Sequence, residues 1–226
     1  MRVVLRIGGS VVASPINPEL IVEYVEVIKE LKKQGHELVV VVGGGELARE
    51  LISVAKRMGL KESEQDEIAI SASRIFAQLF LKKVGKIGCP AIPASLKDVR
   101  NCLEKGQMAV MGGLRSGMTT DSVAALVTKE IGADILVKAT NQDGIYSKDP
   151  AKHSDAVKID HLTIKELSKV FSETKHKAGI HQIIDPEAVK ILRTCKLKIA
   201  VVNGYDPNNV LLAVDGKPVG TLIETV

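Results

Sequence analysis

Tryptophan is absent, and aromatic residues make up only 3 % of the chain. So few rings argue against a base-stacking platform for nucleic acid. Neither sign of charge dominates: the net charge is +4, and no dense Lys/Arg block stands out. A positive balance of this size suits small anionic ligands better than a nucleic-acid backbone. The three cysteines, Cys89, Cys102 and Cys195, are far apart and odd in number. That excludes a disulfide framework and zinc-ligand spacing, and leaves the expectation of reduced, buried thiols in a cytosolic protein. No apolar run approaches the ~18 residues of a membrane span. The chain enters a strand-like run, Val3–Ile7, with no signal-peptide pattern, so a cytoplasmic protein is expected.

Several catalytic signatures are also missing. The Walker A pattern G-x-x-x-x-G-K-S/T does not occur, and neither do H-E-x-x-H, G-x-S-x-G or a Cys/His ligand cluster. The five histidines, His36, His153, His161, His176 and His181, share no catalytic spacing and are expected at the surface. No residue recommends itself for covalent catalysis.

What is present is a 45 % apolar composition over 226 residues, enough for one large α/β domain or two small ones. No linker, low-complexity tract or internal repeat interrupts residues 1–226, and one continuous domain is the simplest reading. Its centre is H-E-L-V-V-V-V-G-G-G-E-L-A-R-E-L, from His36 to Leu51. Leu38–Val42 reads as a strand buried on both faces. Gly43, Gly44 and Gly45 follow, and a helical pattern opens at once. A strand that ends at bare backbone and enters a helix presents free N–H groups, with the helix dipole behind them, to an anion. Arg49, one turn into that helix, can add a planar fork of donors. The same plan comes earlier, where Arg2–Ile7 runs into Gly8-Gly9-Ser10 and then a helical pattern to Lys33. Two such units predict an α/β fold with a parallel sheet. Turns at the carboxyl edge of that sheet can grip one ligand from two sides.

A third glycine-rich turn, Gly112-Gly113-Leu114-Arg115-Ser116-Gly117-Met118-Thr119-Thr120-Asp121, leads into a helix from Ser122. Capping accounts for one of Thr119, Thr120 and Asp121; three in a row behind three glycines suggest a ligand loop. Residues 91–110 read as short strands and loops, and 155–161 as a short crossing strand. Lys61–Lys83 carries an apolar stripe, Ile68, Ala72, Ile75/Phe76 and Leu79/Phe80, expected to serve core or subunit packing; Asp66, ahead of it, either favours its helix dipole or accepts from a ligand hydroxyl. Tyr146 stands in an otherwise polar turn between Asp143-Gly144 and Asp149-Pro150, where it stacks on a ligand or makes a small packing contact. The Gly43-x-Gly45-x-x-Ala48 spacing meets the loose dinucleotide fingerprint, but after the second strand instead of the first. Phosphoryl transfer asks for alignment and charge neutralisation, which backbone amides, a few cations and a metal ion can supply.

Four segments in this order, I-G-G-S, V-V-G-G-G-E-L-A-R, G-G-L-R-S-G-M-T-T-D and K-A-T-N-Q-D-G-I-Y-S-K-D-P, resemble the amino-acid kinase superfamily. Within it the chain is most similar to the archaeal type of uridylate (UMP) kinases, including K-A-G-I-H-Q-I-I-D-P from Lys177 and the closing G-T-L-I-E. The resemblance implies a three-layer α/β/α sandwich with a mainly parallel central sheet, and the reaction ATP + UMP giving ADP + UDP, with Mg²⁺ bridging the phosphates. It implies that Gly9, Ser10, Gly45 and Arg49 hold the ATP phosphates, and that Thr140, Asn141, Tyr146 and Asp149 contact adenine and its ribose. Gly44 would meet the UMP phosphate and Asp66 its ribose. Leu114, Arg115, Ser116, Gly117, Met118, Thr119 and Thr120 would wrap the uridine. Asp121 would orient the cluster. A homohexamer built as a trimer of dimers is implied too, with the helix after Asp66 as a contact, and no metal site beyond the phosphates. Two departures stand out. Arg6 replaces a lysine common in the superfamily and is expected to neutralise phosphates as a fork, with Lys138 as a second cation at a strand end. Ser116-Gly117-Met118 replaces the usual Pro-Gly-His. The alternatives are another small phosphotransferase of the superfamily, such as isopentenyl phosphate kinase, a non-catalytic nucleotide sensor, and a dinucleotide oxidoreductase.

Overall fold

Strand β1 (Arg2–Ile7) alternates its side chains between two apolar layers, and this alternation organises the molecule. Val3, Leu5 and Ile7 enter one hydrophobic cluster, and Val4 enters the other. The computed structural model describes residues 1–173 and 183–225. β2 (Glu37–Val42), β3 (Ala109–Met111) and β4 (Ile135–Thr140) lie parallel to β1, and β8 (Lys198–Asn203) extends the parallel run beyond β4. β9 (Thr221–Glu224) pairs antiparallel with β8 and parallel with β7 (His161–Thr163). The seven strands run in the order β3-β2-β1-β4-β8-β9-β7. This is the three-layer, mainly parallel α/β architecture expected.

Helices α2 (Pro18–Lys33), α4 (Glu62–Val84) and α9 (Asn208–Val214) cover one face of the sheet. α2 begins because Asn17 accepts from the Leu20 N–H and Pro18 occupies the first turn. It buries Leu20, Ile21, Tyr24, Val25, Ile28 and Leu31, each worth about 1.5–3 kcal/mol as apolar area leaves water. Tyr24 meets Phe80 of α4 edge-on, with ring centroids 6.4 Å apart. The other face is covered by α5 (Leu96–Glu104), α6 (Thr120–Ile131), α7 (Ile164–Glu173) and α8 (Pro186–Leu192).

Some expectations are corrected. Residues 91–110 contain a helix, α5, which Ser95 starts by accepting from the Asp98 N–H, and which buries Val99 and Cys102. The stretch 155–161 divides instead of crossing once: β6 (Lys158–Ile159) pairs with β5 (Ile145–Tyr146) in a separate two-stranded sheet, and β7 joins the main one. Cys89 and Cys102 are joined as a disulfide, 13 residues apart in sequence, because α5 folds back beside the segment that leads into β3. Only Cys195 remains free among the described cysteines. His153 and His161 are exposed as expected, His36 is partly buried, and His176 and His181 lie outside the described residues. Lys177–Gln182 of the K-A-G-I-H-Q-I-I-D-P segment lie outside them as well. Among the described residues no helix is long and apolar enough to cross a membrane.

Candidate active site

The three glycine turns leave β1, β2 and β3, which are neighbours, parallel and therefore open at the same edge of the sheet. The first two turns touch. The Gly43 N–H donates to the Ile7 carbonyl at 3.0 Å, and a Cβ placed on Gly9 would overlap the Gly45 amide and lie 2.6 Å from Gly45 Cα. Gly45 itself has φ +60°, which other residues adopt at a cost. Short helix α1 (Gly9–Val12) and helix α3 (Gly45–Arg57) start at these turns, so two sets of free N–H groups converge. Ser10 is half-buried in α1. Arg49 is exposed on α3 and donates to the Ser14 hydroxyl at 3.3 Å, beside the Gly9 turn.

Beneath the turns stands a charged triad. Arg6 and Lys138 are direct partners across β1 and β4, so both side chains leave the same face. That face meets the first turn of α6, where Asp121 forms an ion pair with Arg6 (2.7 Å) and another with Lys138. Arg6 also donates to the Thr120 hydroxyl at 3.0 Å. Lys138 therefore belongs to the interior of β4, not to a strand end as expected, and is 5 % exposed. Burial lowers its pKa to about 8, with the neighbouring Arg6 acting in the same direction and Asp121 opposing. Burial would raise the Asp121 pKa, but Arg6 and Lys138 outweigh it, and the carboxyl stays below its usual range. Arg6 and Lys138 thus share Asp121 between them, and Asp185 is a further negative charge acting on Lys138.

The third turn is held by α4. The Gly113 N–H donates to the Ser73 hydroxyl at 2.8 Å, and Arg74 donates to the Gly113 and Leu114 carbonyls at 3.0 and 3.4 Å. Asp66 accepts from the Gly117 N–H at 2.6 Å, and Ser116 donates to the Ser63 carbonyl. Arg115 and Gly117 are exposed, whereas Leu114 and Met118 are partly buried. Of the three candidate caps, Thr119 is the N-cap of α6. Its hydroxyl also donates to Asp185, which accepts from Ser122 as well and caps α8.

The fourth group lies on the loop after β4. Thr140 is buried at the strand end and Asn141 is exposed beside it. The Tyr146 hydroxyl donates to Asp143 at 3.5 Å, while Asp149 accepts from the Ala151 N–H and pairs with Lys152 at 3.4 Å. Gly9 and Gly45 thus touch, Gly43 lies beside Thr120, Thr120 accepts from Arg6, and Arg6 pairs with Asp121, while Ser10, Gly44 and Arg49 stand on the same turns or the helices that leave them. Asp66 and 114–119 flank these turns on the α4 side, and Thr140–Asp149 begin on the far side of β1. Sequence reasoning missed Ser73 and Arg74, and the bonds of Asp185 to Thr119 and Ser122. Polar side chains on an otherwise apolar helix stripe, and a carboxylate cap following an unassigned loop, were the available signals.

This architecture and cradle define a class. Residues 1–203 match the amino acid kinase family, and the chain belongs to it. Among its relatives, a uridylate kinase of Methanocaldococcus jannaschii is 41 % identical, covering 99 % of this chain and 100 % of that protein. A uridylate kinase of Methanobrevibacter smithii is 35 % identical, covering 99 % of each. The crystal structure of uridylate kinase from Archaeoglobus fulgidus superposes with a TM-score of 0.88 at 37 % identity, covering 99 % of this chain and 100 % of that one.

Proposed function

We propose that this chain is an ATP:UMP phosphotransferase, which transfers the γ-phosphoryl group of ATP to UMP. The observation that supports it most is the contact of the first two glycine turns, with the third leaving the neighbouring strand at the same sheet edge, beside the Arg6–Asp121–Lys138 triad, in a chain matched end to end by uridylate kinases. In this reading Gly9, Ser10, Gly45 and Arg49 hold the donor phosphates, and Thr140, Asn141, Tyr146 and Asp149 hold adenosine. Gly44 meets the acceptor phosphate. Asp66 and Leu114–Thr120 form the uridine side, with Asp66 using the carboxylate oxygen not taken by Gly117.

The chemistry follows from charge. Both nucleotides are anionic, so the reacting phosphates must be brought together against their mutual repulsion. Amide dipoles fixed at helix starts do this without reorganising, and the Arg6 and Lys138 cations add to them. Asp121 keeps those two cations side by side at a fixed spacing. No acyl or phosphoryl intermediate on the protein is required.

Among the described residues no group of three or more His, Cys, Asp or Glu side chains is placed to hold a metal, and Asp121 is already matched by two cations. The amide-rich turns with Arg6 and Lys138 fit phosphate groups, which would bring Mg²⁺ with them. When bound there, the ion neutralises developing charge on the transferred group. One domain over 1–226, a cytoplasmic location and a hexameric assembly complete the proposal. Ile75 and Leu79, exposed on α4, and Val54 and Met58, exposed on α3 and just beyond it, are apolar surface suited to such an assembly.

A coupled assay for ADP release with ATP against UMP, CMP, dUMP and isopentenyl phosphate tests this reading. UMP should be turned over fastest by at least about tenfold. Preference for isopentenyl phosphate, or no transfer to any acceptor, would overturn it.

A further inference from the structure

One exposed aromatic residue has no part in the assignments above. Tyr205 follows β8, and its side chain is 53 % exposed, in a chain with only three tyrosines and no tryptophan. Its hydroxyl lies 3.4 Å from the Ser10 carbonyl, in the first glycine turn. β4 stands between β8 and β1 in the sheet, so the side chain reaches across two strand spacings, roughly 9–10 Å. It lies as a bar over the carboxyl end of β4, between the Gly8–Ser10 turn and the start of the Thr140–Asp149 loop.

The backbone that carries this ring is tied down on several sides. The Gly204 N–H donates to the Thr140 carbonyl at 2.6 Å, and the Gly204 carbonyl accepts from the buried Tyr24 hydroxyl at 2.7 Å. A Cβ at Gly204 would lie 2.9 Å from that hydroxyl and from Val11. The Tyr205 N–H donates to the Asn203 side chain at 2.9 Å; Asn203 in turn donates to Asp143 at 2.7 Å, and Asp143 accepts from Tyr146. Tyr146 and Tyr205 are therefore ends of one hydrogen-bonded rim that joins the loops after β4 and β8. A half-exposed ring on so constrained a turn loses little freedom when a ligand packs on it.

Resting on the donor-site reading above, we propose that Tyr205 is a binding residue for the nucleoside part of the phosphoryl donor. Its ring packs against the ribose that must lie between the phosphates at Ser10 and the base at the Thr140–Tyr146 loop. The acceptor side, built on α4, is out of its reach.

Because the chain lacks tryptophan, Tyr205→Trp gives a single tryptophan at the rim, excited apart from Tyr24 and Tyr146 at the red edge of the absorption band. Titration with MgADP should shift or quench its emission, and UMP alone should not. Tyr205→Ala should raise the KM for ATP about tenfold, the size of an aromatic contact, and move the KM for UMP less than twofold. Tyr205→Phe should restore the ATP value. A silent MgADP titration with ATP KM unchanged in Tyr205→Ala would overturn the proposal, as would a response to UMP alone or equal losses for both substrates. The titration needs no acceptor chemistry. If the wild-type chain fails to phosphorylate UMP yet MgADP still moves the Trp emission, the acceptor assignment falls and Tyr205 stands.

Discussion

The two halves of the site's rim are made of different material. At the ends of β1 and β2 the cradle is backbone against backbone, with Gly9 and Gly45 closer than any side chain permits. At the ends of β4 and β8 the rim is held by side chains, with Asp143 accepting from Tyr146 and Asn203, and Asn203 accepting from the Tyr205 main-chain N–H. The first construction fixes a point charge distribution for a phosphate, which every nucleotide shares. The second can be varied one residue at a time, as recognition of a base and sugar requires. In the proposed reading, backbone serves the shared chemistry and side chains serve identity.

The sharpest way to break that comparison is to put a side chain where there is only backbone. Gly9→Val should abolish transfer, by more than about 10³-fold, since displacing the turn removes several amide contacts at once. It should also lower Tm measurably, because Gly45 and Gly43 are in contact with it. Transfer within tenfold of wild type would show that the turn does not hold the phosphates.

A smaller effect sharpens the role of the floor beneath. Lys138 is held to about 8 by burial, so in the free enzyme it is charged below that pH and neutral above it. Losing this proton removes a cation from under the phosphates. The kcat/KM for ATP should therefore fall as pH rises through about 8, approaching tenfold per pH unit if the charge is indispensable. Bound polyphosphate favours the charged form, so kcat should fall at a higher pH. In Lys138→Met the rate should be low and this limb should vanish; persistence of the limb would assign it to another group.

Much of this was legible in the sequence because it depends on short-range rules. Leu38–Val42 followed by three glycines and a helical pattern is a local statement, and neighbouring parallel strands then bring the turns to one edge. What was not legible depends on register between distant strands. That Arg6 and Lys138 are side-by-side partners follows from the β1–β4 pairing at a sequence separation of 132, and only this pairing turns Lys138 from an isolated lysine into the partner of Asp121. α5 was obscured because residues 91–110 are rich in turn signals, although Ser95 and Asp98 carried its start. The Cys89–Cys102 link was hidden for the same reason: without α5 the two cysteines have no cause to meet. Tyr205 was passed over because its significance depends on reaching past β4, which no window of sequence contains.

The central claim is that donor and acceptor meet end to end along one polyphosphate axis over the carboxyl ends of β1, β2 and β3. A bisubstrate compound that joins adenosine and uridine through five phosphates tests it most directly, by calorimetry and by inhibition kinetics. One molecule should bind per chain, at least about a hundredfold tighter than ADP or UMP alone, and compete with both ATP and UMP. Binding no tighter than ADP, or competition with only one of the two substrates, would contradict a shared axis.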